Sequence, residues 1–168
     1  MYSVGIITAS DKGSRGERVD KSAEVIREMV EAAGYNVMAY EIVPDEQDQL
    51  AACMKRFSDE VKVNLILTTG GTGFSRRDVT PEATLSIIDR EAQGIAEAMR
   101  YNSLSITPKA MLSRAVAGIR GNTLIINLPG SPKAVKENLD YILGPIKHGL
   151  EILMGDATEC AEPMAEQK

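Results

Sequence analysis

A glycine-rich turn between an apolar run and a helix start is the sequence feature that most constrains the fold. The run Asn64–Leu67 is short and apolar, as in strands buried on both faces of a parallel sheet. The turn that follows reads Thr-Thr-Gly-Gly-Thr-Gly over residues 68–73. Further on, Thr80 is a suitable helix N-cap and Pro81 a suitable first helical residue. The segment therefore predicts a strand, a long loop and a helix.

The composition of this loop indicates ligand binding. Glycines accept positive φ and can turn their backbone N–H groups outward, which forms a concave site for an anion. Arg76, Arg77 and Asp78 follow in the same loop, and such charges suit a phosphate group and a cation. Many α/β proteins leave a strand through a glycine turn that binds nothing, and Gly-Gly-Thr-Gly alone favours that interpretation. The charged residues and the helix start make ligand binding the better hypothesis.

Length and composition indicate an ordinary globular domain. The 168 residues suffice for one hydrophobic core, and we predict a single domain over residues 1–154 with a flexible polar tail over 155–168. Hydrophobic residues make up 43% and charged residues 26%, which is typical of globular chains. The formal charge of −5 argues against a general nucleic-acid binder, whose phosphate contacts need a positive face.

The sequence shows no pattern typical of a membrane span, a signal peptide, a disulfide framework or a zinc site. No apolar run approaches the roughly 20 residues of a membrane span, and the N-terminus lacks a signal-peptide pattern. Cys53 and Cys160 form no CxxC pair, so we expect a reduced, cytoplasmic protein. A single histidine and two unlinked cysteines argue against a zinc site.

Strand and helix patterns alternate along the chain. The predicted strands cover residues 4–8, 37–43, 64–67 and 123–127, and helices begin at Asp20, near Asp45, at Pro81 and at Ser131–Pro132. Such spacing gives parallel strands with right-handed crossovers. We therefore predict an α/β fold of three layers, α/β/α, with a mostly parallel central sheet. Pro145 predicts a kink or break of the last helix near Ile142.

Ligands of such sheets bind at the carboxyl ends of the strands. That rule brings together the loop at Ser10 and Asp11, Asp45, the loop 70–78 and the turn at Gly130. This edge offers glycine turns, hydroxyls, basic side chains and three aspartates. The combination describes a pocket for a phosphorylated ligand with a divalent metal. Mg²⁺ is the favoured ion because it takes carboxylate and phosphate oxygens.

Several motifs in order resemble a known family. Thr-Thr-Gly-Gly-Thr-Gly with Arg-Arg-Asp-Val-Thr-Pro-Glu-Ala-Thr is followed by Leu-Ser-Arg, Asn-Leu-Pro-Gly-Ser-Pro and Lys-Ala-Val. Together they resemble the molybdopterin-binding family, and most closely the molybdopterin adenylyltransferases of molybdenum cofactor biosynthesis, including the gephyrin G-domain type. The resemblance runs from Ile6 to about Leu153. Each motif alone is weak, but their joint order is specific.

The resemblance implies an activity, an assembly and a set of site residues. The implied reaction converts ATP and molybdopterin to adenylyl-molybdopterin and pyrophosphate with Mg²⁺, in a homotrimer of the molybdopterin-binding fold. The resemblance also implies a partner, a molybdenum insertase that receives the product. Asp45 and Asp78 are the implied catalytic and metal-binding carboxylates, and Ser113 the implied serine that contacts the ligand. The implied substrate-binding residues are Thr8, Ser10, Asp11, Thr69, Gly70, Gly71, Thr72, Gly73, Ser113, Arg114, Pro129 and Gly130.

Alternative interpretations remain open at this stage. Asp45 could serve only as a helix N-cap, and Asp78 only as a partner of Arg76 or Arg77. The chain could be a carrier of the same fold that holds the pterin without adenylylating it. A dinucleotide-binding oxidoreductase does not fit, because the first strand–helix turn lacks the glycine fingerprint. A P-loop NTPase does not fit either, because no Gly-Lys-Ser/Thr follows the glycine turn.

Overall fold

The structure of the protein, a computed structural model, describes residues 1–156. Within this range the strands are β1 (Ser3–Ala9), β2 (Asn36–Val43), β3 (Leu65–Thr69), β4 (Arg90–Glu91), β5 (Ala117–Arg120) and β6 (Thr123–Leu128). They form one sheet in the order β2-β1-β3-β6-β5-β4. The four strands β2, β1, β3 and β6 are parallel, while β5 pairs antiparallel with both β6 and β4.

Helices connect these strands and cover both faces of the sheet. They are α1 (Asp11–Ser14), α2 (Lys21–Ala32), α3 (Gln47–Arg56), α4 (Thr80–Leu85), α5 (Gln93–Leu104) and α6 (Pro132–Met154). A π-helical turn (Phe57–Val61) extends α3, and a 3₁₀ turn (Pro108–Leu112) follows α5. The predicted three-layer α/β fold with a mostly parallel sheet is confirmed.

The core lies in two layers, one on each face of the sheet. On one face Val4 and Ile6 of β1 pack in a cluster with buried residues of α2, α5 and α6. On the other face Ile7 packs in a second cluster with α3 and with Ala83 of α4. Neighbouring residues of β1 thus point into different layers and are all fully buried. This explains why the strand is apolar without a polar alternation.

Some local expectations were right and others wrong. Asp20 and Ser131 cap α2 and α6 through bonds from the backbone amides three residues on. Thr80 is not the N-cap of α4: Val79 holds that position, and the Thr80 hydroxyl donates to the carbonyl of Gly70 at 2.9 Å. The expected break near Pro145 is also wrong, because α6 runs through it.

The continuity of α6 has a physical reason. Pro145 is exposed, so the hydrogen bond it cannot make is lost on the solvent side of the helix. Ile142, Ile146 and Leu150 remain buried on the other side and keep the helix on the sheet. Apolar packing therefore outweighs the local cost of the proline.

The predicted C-terminal tail, 155–168, lies outside the described residues beyond Asp156. Among residues 1–156, no helix combines the length and apolar character needed to cross a membrane.

A buried polar group links the end of the sheet to the helix after the glycine turn. The Asn127 side chain on β6 is fully buried, and its Nδ2 donates to the hydroxyls of Thr68 at 3.0 Å and Thr84 at 2.9 Å. Its Oδ1 accepts from the amide of Val116 at 3.2 Å. This one side chain ties β3, β6, α4 and the start of β5 together, directly beneath the glycine turn.

Replacing Asn127 by alanine should destabilise the fold by about 2 to 3 kcal/mol, because the buried hydroxyls of Thr68 and Thr84 lose their shared donor and the Val116 amide loses its acceptor. Urea denaturation followed by circular dichroism measures the loss. Asn122→Ala, in the exposed turn between β5 and β6, is the control and should change the free energy of unfolding by less than about 0.5 kcal/mol. Equal stability of the Asn127 variant and the control would contradict the structural role of this network.

Candidate active site

A cleft opens at the point in the sheet where successive connections run in opposite directions along the strand order. The chain passes from β1 outward to β2 and then returns to β3 on the other side of β1, so β1 and β3 flank the switch point. The carboxyl ends of these two strands form one wall of a cavity of about 560 Å³. Its lining residues are Thr8, Ala9, Ser10, Gly13, Arg18, Val19, Asp20, Lys21, Ser22, Asp45, Thr69, Gly70, Gly71, Asp78, Gly130 and Pro132. Ligand sites of open α/β sheets lie at this position.

Glycines form the floor of the cavity because neighbouring loops approach too closely for a side chain. Gly70 has φ +89°, and a Cβ there would lie 2.5 Å from the carbonyl oxygen of Ala9. Gly71 has φ +68°, and a Cβ there would lie 2.3 Å from the Thr80 hydroxyl oxygen. Both positions need left-handed backbone and an absent side chain. The glycine turn predicted from the sequence thus packs against β1 and α4.

The backbone amides of this turn are available to a ligand. Among the described residues, the N–H groups of Gly71, Thr72 and Gly73 donate to no backbone carbonyl. The carbonyl groups of the turn are occupied instead: that of Gly71 accepts from the amide of Thr80 at 3.1 Å. A turn whose carbonyls are held by the protein and whose amides are free has the polarity of an anion site.

Arg114 holds the turn in this shape. Its backbone amide donates to the carbonyl of Thr72 at 2.9 Å, and its guanidinium donates to the carbonyls of Gly73 at 2.8 Å and Asp78 at 2.6 Å. The remaining guanidinium nitrogen pairs with Glu82 on α4. Arg114 was predicted to bind substrate, but in the structure its guanidinium bonds to the loop and to Glu82 of α4. It lines neither of the cavities described in this section.

Asp45 is joined to Asp11 by a reciprocal pair of hydrogen bonds. The amide of Asp11 donates to Oδ2 of Asp45 at 2.9 Å, and the amide of Asp45 donates to Oδ1 of Asp11 at 3.0 Å. Asp45 is not the N-cap of α3: Glu46 holds that position. Burial raises the pKa of the Asp45 carboxyl, and the nearby charges of Asp11 and Asp78 act in the same direction. Its Oδ1 lies on the side of the glycine turn.

Arg77 pairs with carboxylates of two other loops. Its Nε and Nη2 donate to the two oxygens of Asp11 at 3.0 and 2.9 Å, and Nη2 also lies 2.8 Å from Glu46. The Arg77 guanidinium holds the pKa of Asp11 below its usual range. Asp11, predicted to bind substrate, therefore has both carboxylate oxygens engaged within the protein.

Asp78 lines the cavity and also shapes its own loop. Its Oδ2 accepts from the amide of Ser75 at 2.9 Å, and this carboxylate lies close against Gly73, where a Cβ would be 2.9 Å away. The alternative that Asp78 neutralises Arg77 does not hold, because Arg77 pairs with Asp11 and Glu46. Its partner in sequence, Arg76, is exposed and lines neither cavity.

The donor set of the cavity suits a magnesium ion carried by a phosphate. Among residues 1–156, no three acidic, histidine or cysteine side chains group together as a complete metal site. Asp45 and Asp78 both line the cavity and lie close enough for the Asp78 charge to raise the pKa of Asp45. Mg²⁺ is commonly bound by one or two carboxylates together with substrate phosphates. The residues therefore fit Mg²⁺ as part of a metal–phosphate complex.

A second, less polar cavity of about 290 Å³ lies on the other side of the glycine turn. Its lining residues are Thr72, Gly73, Ala96, Met99, Arg100, Ser103, Thr107, Lys109, Ala110, Leu112, Ser113, Ala115, Pro129, Ala134, Glu137 and Asn138. The predicted site residues thus divide into two groups. Thr8, Ser10, Thr69, Gly70, Gly71 and Gly130 line the first cavity with both candidate catalytic aspartates, whereas Thr72, Gly73, Ser113 and Pro129 line the second.

Sequence reasoning did not assign Lys21 and Ser22 to the site. Both stand at the start of α2, where they read as ordinary first-turn residues, but Ser22 donates to the carbonyl of Gly130 at 2.7 Å and both line the first cavity. Arg18, from the loop between α1 and α2, lines it too. The signal that points to these residues is their position after β1, next to the switch point.

The fold and this cleft define an α/β ligand-binding protein whose site lies at the switch point of its sheet. A family described as a probable molybdopterin binding domain matches residues 5–148, and the chain belongs to that family. The family resemblance predicted from the motifs is therefore confirmed.

Individual relatives agree over nearly the whole chain. The molybdopterin adenylyltransferase of Helicobacter pylori is 39% identical over 161 residues, which cover 95% of this chain and 92% of that protein. The crystal structure of the molybdopterin biosynthesis enzyme MoaB from Thermus thermophilus has a TM-score of 0.88 and 50% identity, covering 92% of this chain and 98% of that one. Relatives named molybdopterin adenylyltransferase, 39 to 44% identical over most of the chain, confirm the prediction that the chain is an enzyme of this kind.

Gephyrin of Dictyostelium discoideum is 45% identical over 160 residues, which cover 89% of this chain. The chain spans 22% of the length of gephyrin, so the match concerns one segment of that larger protein.

Gly71 offers a test of the close approach that forms the cavity floor. Gly71→Ala should lower the free energy of unfolding by about 1 to 3 kcal/mol more than Gly16→Ala, because the new methyl group meets Thr80. Gly16 is the matched control, since it has φ +72° but open space around it, so that its variant carries only the cost of left-handed backbone. Guanidinium denaturation of both variants measures the difference. Equal losses would mean that Gly71 is needed for its φ alone.

Proposed function

We propose that this chain catalyses the Mg²⁺-dependent adenylylation of molybdopterin by ATP, with pyrophosphate as the second product, in molybdenum cofactor biosynthesis. One observation carries the proposal: two carboxylates, Asp45 and Asp78, line a cavity whose floor is a glycine turn with available amides. That arrangement suits a phosphoryl group with its metal. The names of the relatives at 39 to 44% identity supply the substrate class.

The two cavities suit the two substrates. The first cavity has Arg18 and Lys21 at its edge, which suits the phosphates of ATP. The second is lined by the buried apolar residues Ala96 and Met99 and by the buried amide of Asn138, which suits a planar heterocycle such as the pterin. The glycine turn contributes residues to both cavities. A phosphate group held by its amides would therefore stand between the two substrates.

Adenylyl transfer needs little beyond positioning and charge stabilisation. A phosphate oxygen of molybdopterin forms a bond to the α-phosphorus of ATP, and the bond from that phosphorus to pyrophosphate breaks. Asp45 and Asp78 are the residues that would hold Mg²⁺, which neutralises the charge that develops on the phosphoryl oxygens. The glycine amides orient the attacking phosphate, and Arg18 and Lys21 face the leaving pyrophosphate.

A carrier of the same fold is the second candidate. Such a protein would use the glycine turn and the second cavity to hold the pterin but would not need carboxylates in the first cavity. The presence of both aspartates there favours the enzyme.

We further propose that the protein acts in the cytoplasm and that a molybdenum insertase receives its product.

One assay separates the enzyme from the carrier. Purified protein is incubated with Mg-ATP, with and without molybdopterin, and pyrophosphate release is measured by a coupled phosphate assay. Release that depends on the pterin supports the enzyme. Tight pterin binding by calorimetry without release supports the carrier.

Removing one negative charge from the proposed metal site should slow turnover strongly without weakening pterin binding. Asp45→Asn and Asp78→Asn should each lower the rate of pyrophosphate release about a hundredfold, which corresponds to roughly 3 kcal/mol of transition-state stabilisation. Both variants should keep the wild-type affinity for molybdopterin, because the pterin phosphate is assigned to backbone amides. Single-turnover kinetics and titration calorimetry measure the two quantities.

Two outcomes would contradict this assignment. Wild-type turnover of either variant at every Mg²⁺ concentration would return that aspartate to a structural role in its loop. Loss of pterin binding together with turnover would place the carboxylate in the pterin site. Glu137→Gln, in the lining of the second cavity, gives the converse pattern if that cavity holds the pterin: weaker pterin binding with ATP binding retained.

We also propose a homotrimer. Exposed apolar side chains concentrate at the end of α5 and in the turn that follows, which is a surface that a subunit contact would cover. These residues are Tyr101, Leu104, Ile106, Met111 and Leu112. Light scattering at micromolar concentration should give the mass of three chains, and Tyr101→Glu with Met111→Glu should give a smaller species. A monodisperse monomer of the wild-type protein would contradict the trimer.

A further inference from the structure

Arg77 is the one arginine of the glycine loop that reaches the other loops of the site. It belongs to the loop after β3, Asp11 to the loop after β1, and Glu46 to the loop after β2. The side chain of Arg77 is about half exposed and lines neither cavity, so it does not contact a ligand held in either of them. Among residues 1–156, every polar partner of this side chain is a carboxylate, that of Asp11 or Glu46.

The partner of Arg77 is itself the partner of Asp45. Asp11 uses its amide and its Oδ1 to bind the Oδ2 and the amide of Asp45. The same Oδ1 and the second oxygen of Asp11 accept the two bonds from Arg77. The Oδ1 of Asp45 lies toward the glycine turn. A chain of contacts thus runs from Arg77 through Asp11 to the carboxylate that faces the turn.

We propose that Arg77 is a positioning residue that fixes the Asp45 carboxylate through Asp11 and so sets the geometry of adenylyl transfer. This inference rests on the proposed function, although the contacts on which it depends do not. Without Arg77, the carboxylates of Asp11, Asp45 and Glu46 would stand together with no guanidinium between them. Their mutual repulsion would separate the loops and move Asp45 away from the glycine turn.

The planar guanidinium is what this position requires. Arg77 bonds both oxygens of Asp11 in a fork and reaches Glu46 with the same nitrogen. A lysine carries the same charge but has a single nitrogen and no fork, so it can approach only one of these carboxylates well. The structure therefore predicts that charge alone does not replace Arg77.

The test compares Arg77→Ala with Arg76→Ala, which removes the same charge from the same loop at an exposed position whose side chain has no polar partner within the described part of the chain. For Arg77→Ala we expect kcat for pyrophosphate release to fall about ten- to a hundredfold, the range for a misplaced catalytic group, with KM for molybdopterin within twofold. Arg76→Ala should keep kcat within twofold. Arg77→Lys should recover less than a third of the lost kcat.

A double-mutant cycle shows whether Arg77 acts through Asp11. Since the two residues form one unit, Arg77→Ala in the background of Asp11→Asn should lower kcat by less than threefold more. Fully multiplicative losses would overturn the proposed route. A rise in KM without a fall in kcat would also overturn it, because Arg77 would then bind substrate.

Amide hydrogen exchange tests the same proposal without the reaction. In the absence of ligands, Arg77→Ala should speed exchange of the Asp11 and Asp45 amides at least tenfold, whereas Arg76→Ala should leave both unchanged. Unchanged exchange in Arg77→Ala would show that the Asp11–Asp45 pair holds without Arg77 and would overturn the inference. If exchange changes as expected but wild-type protein releases no pyrophosphate, the proposed function fails while the contact network stands.

Discussion

The rest of the site depends on the close packing of the glycine turn against β1 and α4. At Gly70 the backbone passes so near the Ala9 carbonyl that any side chain would collide with it, and at Gly71 the same holds for Thr80. Because the turn packs this closely, its residues line the cavities between the loops, and the amides of Gly71, Thr72 and Gly73 donate to no backbone carbonyl of the described residues. The anion site is therefore a consequence of chain packing. A bulkier turn would lift away from the sheet, and the two cavities on either side of it would merge or close.

Polar groups beneath the turn keep it in place. Asn127 joins two strands to α4, while Arg114 bonds the carbonyls of Gly73 and Asp78 from the other direction. Buried polar groups contribute in this way only when each donor finds an acceptor. Here the acceptors are the hydroxyls of Thr68 in β3 and Thr84 in α4 and the carbonyls of the loop. The arrangement leaves the loop with few conformational alternatives. A rigid loop loses little entropy when it binds a ligand, which is an advantage for a site that works through alignment.

The sequence predicted the α/β fold and its mostly parallel sheet well, because these follow from periodicity and from right-handed crossovers. The sequence also placed the candidate site, through the rule for the carboxyl ends of parallel strands, at the edge of the sheet where the first cavity lies. It predicted side-chain partners poorly. Thr80 looked like a cap, yet it bonds the glycine turn, and Arg114 looked like a ligand contact, yet it holds the loop. Asp11 appeared as a ligand residue, and Arg77 as a possible partner of Asp78. The partners of Arg114, Asp11 and Arg77 lie more than 30 positions away in the chain, and local patterns carry no information about such distances. Thr80 and Gly70 are 10 positions apart, but the loop between them has no regular pattern from which their contact could be predicted. Pro145 is a case in which a local pattern misled: a proline inside a helix predicts a break, but packing on the buried face keeps α6 continuous.

The charges around the first cavity explain why a cation belongs in the proposed reaction. Its lining includes three aspartates, Asp20, Asp45 and Asp78, and two bases, Arg18 and Lys21, so the ionised side chains do not by themselves favour a polyanion. Arg77 does not change this balance, because it is committed to Asp11 and Glu46. A triphosphate entering alone would meet repulsion from Asp45 and Asp78 at the point where the amides of the turn attract it. The same two carboxylates would attract the ligand once a divalent ion accompanies the phosphates, because the ion bonds to the carboxylate oxygens. Under the proposed function, this balance of charge would favour a metal–nucleotide complex over the free nucleotide, and the neutral glycine turn would be the part of the cavity suited to a phosphate that carries no metal.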